Sequence, residues 1–184
     1  MTSPEPATLV VVGPMGAGKT SIGKKVAREL GMTFTDTDAM IVRDHGAIPS
    51  LFEKRGEPFF RGVERSAVVD ALAIGGVIAL GGGAILDAAT RADLAHHRVV
   101  LLTVSPEIVR SRIGGGNRPL LNGGDAVARW ERIFAERRAL YEEVADATFD
   151  SSSGHISAVA SAIARWVRGD GAAAQPRSLS EGSV

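Results

Sequence analysis

Residues 13–20 read GPMGAGKT and lie between a short apolar run and a segment of helical period. They fit the pattern G-x-x-x-x-G-K-[ST] without a mismatch, in the strand-loop-helix context that gives this pattern its meaning. Glycines at positions 13, 16 and 18 let backbone N–H groups turn towards phosphate oxygens, and the positive end of the following helix points at the same place. A glycine-rich turn followed by a surface lysine is the alternative. We expect a binding site for a nucleoside triphosphate.

Two side chains of this segment have expected roles of their own. Lys19 would reach the β- and γ-phosphates, and Thr20 would offer its hydroxyl to Mg²⁺. With the backbone included, the expected nucleotide-binding residues of the segment are Gly13, Gly16, Ala17, Gly18, Lys19, Thr20 and Ser21.

Short β-branched runs alternate with segments of helical period along the chain, which predicts a parallel sheet covered by helices on both faces. The strands are expected at residues 8–12, 33–35, 77–80, 99–104 and 148–149. We expect one three-layer α/β/α domain at residues 8–168. The polar, aperiodic tails at 1–7 and 169–184 are predicted to be disordered, because they cannot offset the entropy of ordering.

The charge balance excludes some classes of partner. The 184 residues contain 21 Lys and Arg and 21 Asp and Glu, so no basic field attracts nucleic acid or an anionic membrane. The chain has no cysteine, which excludes disulfides and thiolate chemistry. No apolar stretch is long enough to span a bilayer, and no basic leader precedes the first apolar run. We expect a soluble, cytoplasmic protein, and a monomer.

Three classes of phosphate-binding protein compete for this pattern. A GTPase-type switch needs D-x-x-G and N-K-x-D segments, and neither is present. An ATPase motor needs an apolar strand that ends in an acid, whereas VIALGGG and VVLLTVS end in glycine and serine. Asp36 and Asp38 are two residues apart at the end of the second expected strand, where α/β sheets bind ligands. They favour a small-molecule kinase, with Mg²⁺ or a substrate hydroxyl between them. The alternative is that one of them caps the next helix.

Two arginines stand on or beside apolar helix stripes. Arg61 and Glu64 are spaced i and i+3, which by itself indicates only a surface ion pair. Arg137 falls on the apolar stripe of a helix expected at residues 126–144, and an inward guanidinium needs an acid or an anionic ligand. The alternative is that its stem lies along the apolar surface while its charge reaches solvent.

Two glycine-rich segments complete the candidate site. Gly81, Gly82 and Gly83 end an expected strand, and three glycines allow the backbone itself to approach a ligand. A flexible connection is the alternative. Arg118 lies in GGGNRPLLNGG, which indicates a lid at about residues 113–125 that carries an arginine onto the phosphates. A floppy surface loop is again the alternative.

Taken together, the segments GPMGAGKTSIGKKVA, DTD, FRGVE, LGGGA, NRPLL and RRALY, in this order and spacing, resemble the shikimate kinase family from about residue 8 to 168. The resemblance implies transfer of the γ-phosphate of ATP to the 3-hydroxyl of shikimate, with Mg²⁺ as cofactor. It also implies a five-stranded parallel sheet of the nucleoside-monophosphate-kinase kind, with strand order 2-3-1-4-5, a lid and a substrate-binding helical segment.

On the acceptor side, the resemblance implies that Asp38 holds and orients the attacking hydroxyl. Arg61 and Arg137 would hold the carboxylate of shikimate, and Glu64 would hold the arginines in place. Of two adjacent arginines we choose Arg137 over Arg138, because Arg137 begins R-x-x-L-Y and lies on the apolar stripe. The ring hydroxyls would contact the backbone of Gly81, Gly82 and Gly83.

On the nucleotide side, the resemblance implies that Asp36 reaches Mg²⁺ beside Thr20 and that Arg118 contacts the phosphates from the lid. Arg112 is similar to a residue that lies against the adenine, whereas SSSGHIS after Asp150 offers no assignable adenine contact. The expected catalytic residues are Lys19, Asp38 and Arg118. Two other functions remain open, a gluconate-type sugar-acid kinase and a non-catalytic nucleotide-binding module.

Overall fold

The computed structural model describes residues 8–113 and 126–169. Five strands form its sheet: β1 Leu9–Val12, β2 Phe34–Asp36, β3 Val77–Ala79, β4 Arg98–Thr103 and β5 Ala147–Asp150. The helices in the described ranges are α1 Lys19–Leu30, α2 Thr37–His45, α3 Ile48–Arg55, α4 Glu57–Ile74, α5 Ala88–Leu94, α6 Pro106–Ile113, α7 Ala126–Val144 and α8 Ile156–Arg168. A short 3₁₀ helix, Ala84–Leu86, follows β3.

The sheet is parallel throughout, and its strand order is β2-β3-β1-β4-β5. β1 lies at the centre, and all four of its residues are buried, as expected for a strand covered on both faces. The predicted fold class and strand order are therefore confirmed. Each predicted strand lies within about one residue of the observed one.

Separate apolar clusters cover the two faces of the sheet. On one face, Ile22 and Val26 of α1 pack with Ile163 of α8 against the sheet. On the other, Val68 of α4 and Leu94 of α5 pack against it. A third cluster joins α2, α3 and α4 into one unit beside the sheet, and its buried members are Ile41, Leu51, Phe60 and Ala67. No helix in the described ranges is long and apolar enough to cross a membrane.

Three adjacent strands bring three sequence motifs to one edge of the sheet. β1 runs into the glycine-rich loop that begins at Gly13, β2 ends at Asp36, and β3 runs into Gly81. Because parallel strands end on the same side, these segments lie side by side although they are far apart in the chain. The topology thus places the candidate site at the carboxyl ends of β2, β3 and β1.

Candidate active site

The loop between β1 and α1, the nucleotide loop (residues 13–20), has the backbone of an anion-binding turn. Gly13, Gly16 and Gly18 have φ of 147°, 82° and 82°, which residues with a Cβ rarely adopt. Lys19 folds back over the loop and donates from Nζ to the carbonyl oxygens of Gly13 at 2.9 Å and Pro14 at 3.0 Å. The loop therefore combines glycine-dependent turns, a helix N-terminus and a positive charge in one place.

Ala17 of the nucleotide loop differs in exposure from Thr20 and the adjacent Ser21. Ala17 is buried, and its N–H donates to the carbonyl of Pro14. Thr20 and Ser21, in the first turn of α1, line the cavity in front of the loop. Ala17 can thus take part through its backbone only, while Thr20 and Ser21 present hydroxyls.

Asp36 caps the following helix, which is the alternative that its sequence position left open, and it also contacts the nucleotide loop. Its Oδ1 accepts a hydrogen bond from the backbone N–H of Ala39 at 3.1 Å, which caps α2. Its Oδ2 accepts from the hydroxyl of Thr20 at 2.6 Å. Asp36 is a helix cap and also faces the nucleotide loop. The two oxygens of Thr20 and Asp36 are hard donors of the kind that Mg²⁺ binds.

A metal site built from the protein alone is not present in the part of the chain that the structure describes. Those residues contain no group of three or more His, Cys, Asp or Glu side chains that could hold a metal ion. Mg²⁺ in nucleotide sites needs only one or two protein oxygens, because water and phosphate supply the rest. The pair Thr20 and Asp36 fits that requirement.

Asp38 and Glu64 are carboxyl groups in a poorly hydrated environment. Burial raises the pKa of Asp38, and the charge of Asp36 raises it further, while Lys19 and Arg61 oppose the rise. Burial likewise raises the pKa of Glu64, against the opposing charge of Arg61. A carboxylate with a raised pKa is a better proton acceptor, which would suit a group that faces a hydroxyl.

Arg61 is held by two acids of its own helix. Its Nη1 donates to Glu64 at 2.7 Å, and its Nη2 donates to Glu57 at 2.8 Å. The side chain of Glu64 is only 5% exposed, so the pair is more than the surface contact that its spacing suggests. The sequence did not single out Glu57, since an i, i+4 acid near a helix start is common. Both acids fix the guanidinium of Arg61 at the edge of the cavity.

The glycine segment, residues 81–83, is the point where the acceptor-side residues meet. A Cβ on Gly81 would stand 2.6 Å from Oδ1 of Asp38 and 2.9 Å from Oε1 of Glu64. A Cβ on Gly83 would stand 2.2 Å from Nη1 of Arg61. These positions are glycine because side chains from α2 and α4 occupy the space, which puts Asp38, Glu64 and Arg61 around one short piece of backbone.

Arg137 reaches the same segment from α7. Its Nη1 donates to the carbonyl of Gly82 at 3.2 Å, and in the described ranges no carboxylate lies within ion-pair distance of it. Arg138 instead points to solvent, 67% exposed, and pairs with Glu142. Of the two adjacent arginines, Arg137 is therefore the one at the cavity, and its charge is available to an anionic ligand.

Three polar groups at the site were not singled out by the sequence pattern. Thr37 is fully buried, and its hydroxyl accepts from the N–H of Gly81 at 3.1 Å. Tyr141 donates from its hydroxyl to the carbonyl of Gly82, and Trp130 donates from Nε1 to the carbonyl of Met15 at 2.8 Å. Burial raises the pKa of Tyr141 to about 12, so its hydroxyl remains a donor. A buried Trp or Tyr needs a hydrogen-bond partner for its polar atom, and this requirement was the sequence signal that could have identified Trp130 and Tyr141.

A cavity of about 460 Å³ joins the nucleotide loop to the acceptor-side residues. Its walls include Lys19 together with Asp38, Arg61 and Arg137. An apolar wall completes it, formed by Ile48, Pro49, Phe52 and Phe60. A cavity of this size, apolar with a few convergent polar groups, suits a small molecule.

Of the two remaining arginines of the expected site, only Arg112 lies within the described residues. Arg112 donates to the carbonyl of Gly16 at 2.8 Å and to that of Ser151 at 3.1 Å, so it lies beside the nucleotide loop. This also places the strand end after Asp150 at the nucleotide side. Arg118 and all but the first residue of the expected lid lie outside the described residues.

Comparison with known proteins identifies the family. A family model described as shikimate kinase matches residues 15–168. A shikimate kinase of Streptomyces avermitilis is 46% identical over 158 residues, which cover 84% of this chain and 92% of that protein. A shikimate kinase of Thermobifida fusca is 43% identical over 85% of this chain and 92% of that protein.

Solved structures agree with the sequence comparison. A shikimate kinase from Acinetobacter baumannii in complex with shikimate superposes with a TM-score of 0.85 and 36% identity, over 89% of this chain and 94% of that one. A sugar kinase from Janibacter, 17% identical with a TM-score of 0.56, covers 89% of this chain and 95% of its own and shares the fold alone. The chain therefore belongs to the shikimate kinase family and is an ATP-dependent kinase.

Proposed function

We propose that this protein transfers the γ-phosphate of ATP to the 3-hydroxyl of shikimate. The observation that carries the proposal is the convergence of Asp38, Arg61 and Arg137 on the glycine segment, in the cavity that also contains Lys19. A hydroxyl-binding acid and two carboxylate-binding guanidinium groups match a small hydroxylated carboxylic acid. The relative from Acinetobacter baumannii was solved with shikimate bound.

The two arginines would hold the carboxylate of the acceptor. A guanidinium binds a carboxylate through two parallel N–H donors, a geometry that lysine does not offer. Glu57 and Glu64 already hold the guanidinium of Arg61 in place. Arg137 donates to a backbone carbonyl and has no carboxylate at ion-pair distance within the described ranges, so its charge can be neutralised by the acceptor. The apolar wall with Phe52 would cover the carbon ring.

Asp38 would orient the attacking hydroxyl. In the transfer, the 3-hydroxyl oxygen bonds to the γ-phosphorus, the bond from that phosphorus to the bridging oxygen of ADP breaks, and the hydroxyl proton passes to Asp38. The transition state of such transfers is loose, so positioning and charge neutralisation matter more than a strong base. The raised pKa of Asp38 is consistent with a carboxylate that takes a proton late.

On the donor side, the nucleotide loop and Lys19 would bind the phosphates. Thr20 and Asp36 would hold Mg²⁺, which neutralises phosphate charge when it is bound. Arg118 would contact the phosphates from the lid. Arg112 would lie near the adenine.

The test is a phosphotransfer assay on the purified protein with MgATP and, separately, shikimate and gluconate. We expect ADP release with shikimate and none with gluconate. Release with gluconate but not shikimate would reassign the enzyme to the sugar-acid kinases, and release with neither would favour a non-catalytic nucleotide-binding module. The remaining expectations, a cytoplasmic monomer that binds neither nucleic acid nor membranes, stay predictions.

Two neighbouring arginines supply a matched pair of variants for the acceptor assignment. Arg137→Ala should raise KM for shikimate about a hundredfold, because a hydrogen-bonded charge pair in a half-buried site is worth about 3 kcal/mol, and leave ATP binding nearly unchanged. Arg138→Ala removes the same charge one residue later, at a solvent-exposed position, and should behave like the wild type. Equal behaviour of the two variants would remove Arg137 from the acceptor site.

A further inference from the structure

The glycine segment is held in place by two buried hydroxyls from distant parts of the chain. The hydroxyl of Thr37, at the start of α2, accepts from the N–H of Gly81 at 3.1 Å and lies 3.4 Å from the carbonyl of Ala79. The hydroxyl of Tyr141, near the end of α7, donates to the carbonyl of Gly82. Thr37 is fully buried and Tyr141 is 1% exposed.

A run of three glycines needs such anchors. Glycine has the largest backbone freedom of any residue and no side chain that could be fixed by packing. A residue that packs at Gly81 or Gly83 would displace Asp38, Glu64 or Arg61, whose side chains fill the space of a Cβ. The orientation of these peptide units must therefore be fixed through their own N–H and C=O groups.

Each hydroxyl is also next to a residue that the proposed reaction uses. Thr37 directly precedes Asp38, so its bond fixes the start of α2 that carries this acid relative to Gly81. Asp36 has its own contacts with Thr20 and with the N–H of Ala39. Tyr141 lies one helical turn after Arg137, and both donate to the carbonyl of Gly82. The backbone atom that supports Arg137 is thus held by Tyr141.

We propose that Thr37 and Tyr141 are positioning residues for the acceptor, whose buried hydroxyls hold the glycine segment in the conformation that brings Asp38 and Arg137 together. The proposal rests on the proposed function, in that the acceptor is a hydroxylated carboxylic acid bound at this segment. Thr37 acts through Gly81 and Asp38, and Tyr141 acts through Gly82 and Arg137.

The test removes each hydroxyl with little change of shape, in Thr37→Val and Tyr141→Phe. We expect KM for shikimate to rise about tenfold in each variant, the effect of losing roughly 1.4 kcal/mol, while KM for ATP changes less than about twofold. Thr37→Ser, which keeps the hydroxyl, should restore the wild-type KM. If the hydroxyls contributed only to stability, KM for shikimate would not rise more than KM for ATP.

Thr90→Val is the matched control. Thr90 is also fully buried, and its hydroxyl accepts from Arg65 at 3.3 Å in α4, away from the cavity. This variant should lose stability without a change in either KM. If Thr37→Val does not fold, Tyr141→Phe still decides the question, because the Gly82 carbonyl keeps Arg137 as a donor there.

The outcomes distinguish this proposal from the proposed function. A wild-type protein that does not phosphorylate shikimate removes the function itself. A wild-type protein that does, with an unchanged KM for shikimate in both hydroxyl variants, overturns the positioning roles alone. The positioning roles are likewise overturned if KM for ATP rises as much as KM for shikimate, or if Thr90→Val reproduces the effect.

Discussion

The nucleotide loop and the glycine segment each contain three glycines, yet the glycines are there for different reasons. In the nucleotide loop, Gly13, Gly16 and Gly18 all have positive φ. In the glycine segment, none of the three residues does, and Gly83 has an ordinary φ of −100°. The first set is required by the local path of the chain. The second is required by side chains that arrive from elsewhere in the fold.

Because of this difference, the two regions should respond differently when a glycine is replaced by a residue with a Cβ. A residue with a Cβ in the nucleotide loop strains the backbone whatever surrounds it. In the glycine segment, a Cβ on Gly81 or Gly83 meets the ends of Asp38, Glu64 or Arg61, which can turn aside. Substitutions in the nucleotide loop should therefore lower the stability of the protein. Substitutions in the glycine segment should instead lower kcat or the affinity for the acceptor.

The largest effect is expected for Gly13→Ala. A Cβ there combines a φ of 147° with a distance of 2.3 Å to the backbone carbonyl oxygen of Leu102, which cannot move aside. We expect the free energy of unfolding to fall by about 3 kcal/mol or more, measured by denaturant titration. Gly62→Ala is the control: it lies in α4 with open space around it and should gain up to about 1 kcal/mol. A loss below about 1 kcal/mol in Gly13→Ala would contradict a local cause.

The next effect is expected for Gly81→Ala. Its methyl group displaces Asp38 and Glu64, because the Cβ would stand 2.6 Å and 2.9 Å from their oxygens. We expect kcat to fall about a hundredfold, as for a misplaced catalytic group, with a smaller stability loss than in Gly13→Ala. Steady-state kinetics beside a thermal melt measures both. A variant that loses stability but keeps kcat would contradict this difference, because the glycine segment would then respond in the same way as the nucleotide loop.

A smaller effect is expected for Gly82→Ala, which sharpens the comparison within the segment. A Cβ there has only ordinary contacts, 3.6 Å from the carbonyl oxygen of Gly13 and from the hydroxyl of Tyr141. The protein should keep its stability within about 0.5 kcal/mol. Because Gly82 lines the cavity, its methyl group should raise KM for shikimate about tenfold. An unchanged KM would mean that the acceptor does not approach this backbone.

The smallest effect near neutral pH concerns the titration of Asp38. Burial raises its pKa above the ordinary value of 3.8, so it gains a proton at a higher pH than an exposed aspartate. The protonated form cannot accept the substrate's proton, and kcat/KM for shikimate should fall about tenfold per pH unit below the apparent pKa. That pKa belongs to Asp38 together with Glu64, whose pKa is also raised. A profile that shows no loss of kcat/KM on acidification while the protein remains folded would argue against Asp38 as proton acceptor.

The sequence predicted the elements better than the contacts between them. The helix expected at residues 126–144 is observed as Ala126–Val144, because its apolar stripe has a clear period. The short α3 and α5 carry too few turns for a period to appear, and they were not predicted individually. At Asp36 the predicted helix cap is observed, and the cap leaves the second carboxylate oxygen for Thr20, a contact that the sequence pattern did not indicate.

The order of residues determined the nucleotide loop and the parallel sheet, and together with the family resemblance it favoured Arg137 over its neighbour. Those features depend on spacing along a few consecutive residues, which fixes backbone torsions and helix faces. The acceptor site was decided by the tertiary structure. Its parts come from α2, α4, α7 and the end of β3. Only the packing of these elements sets the ångström-scale distances that bring Asp38 to Gly81, pair Arg61 and anchor the glycine segment.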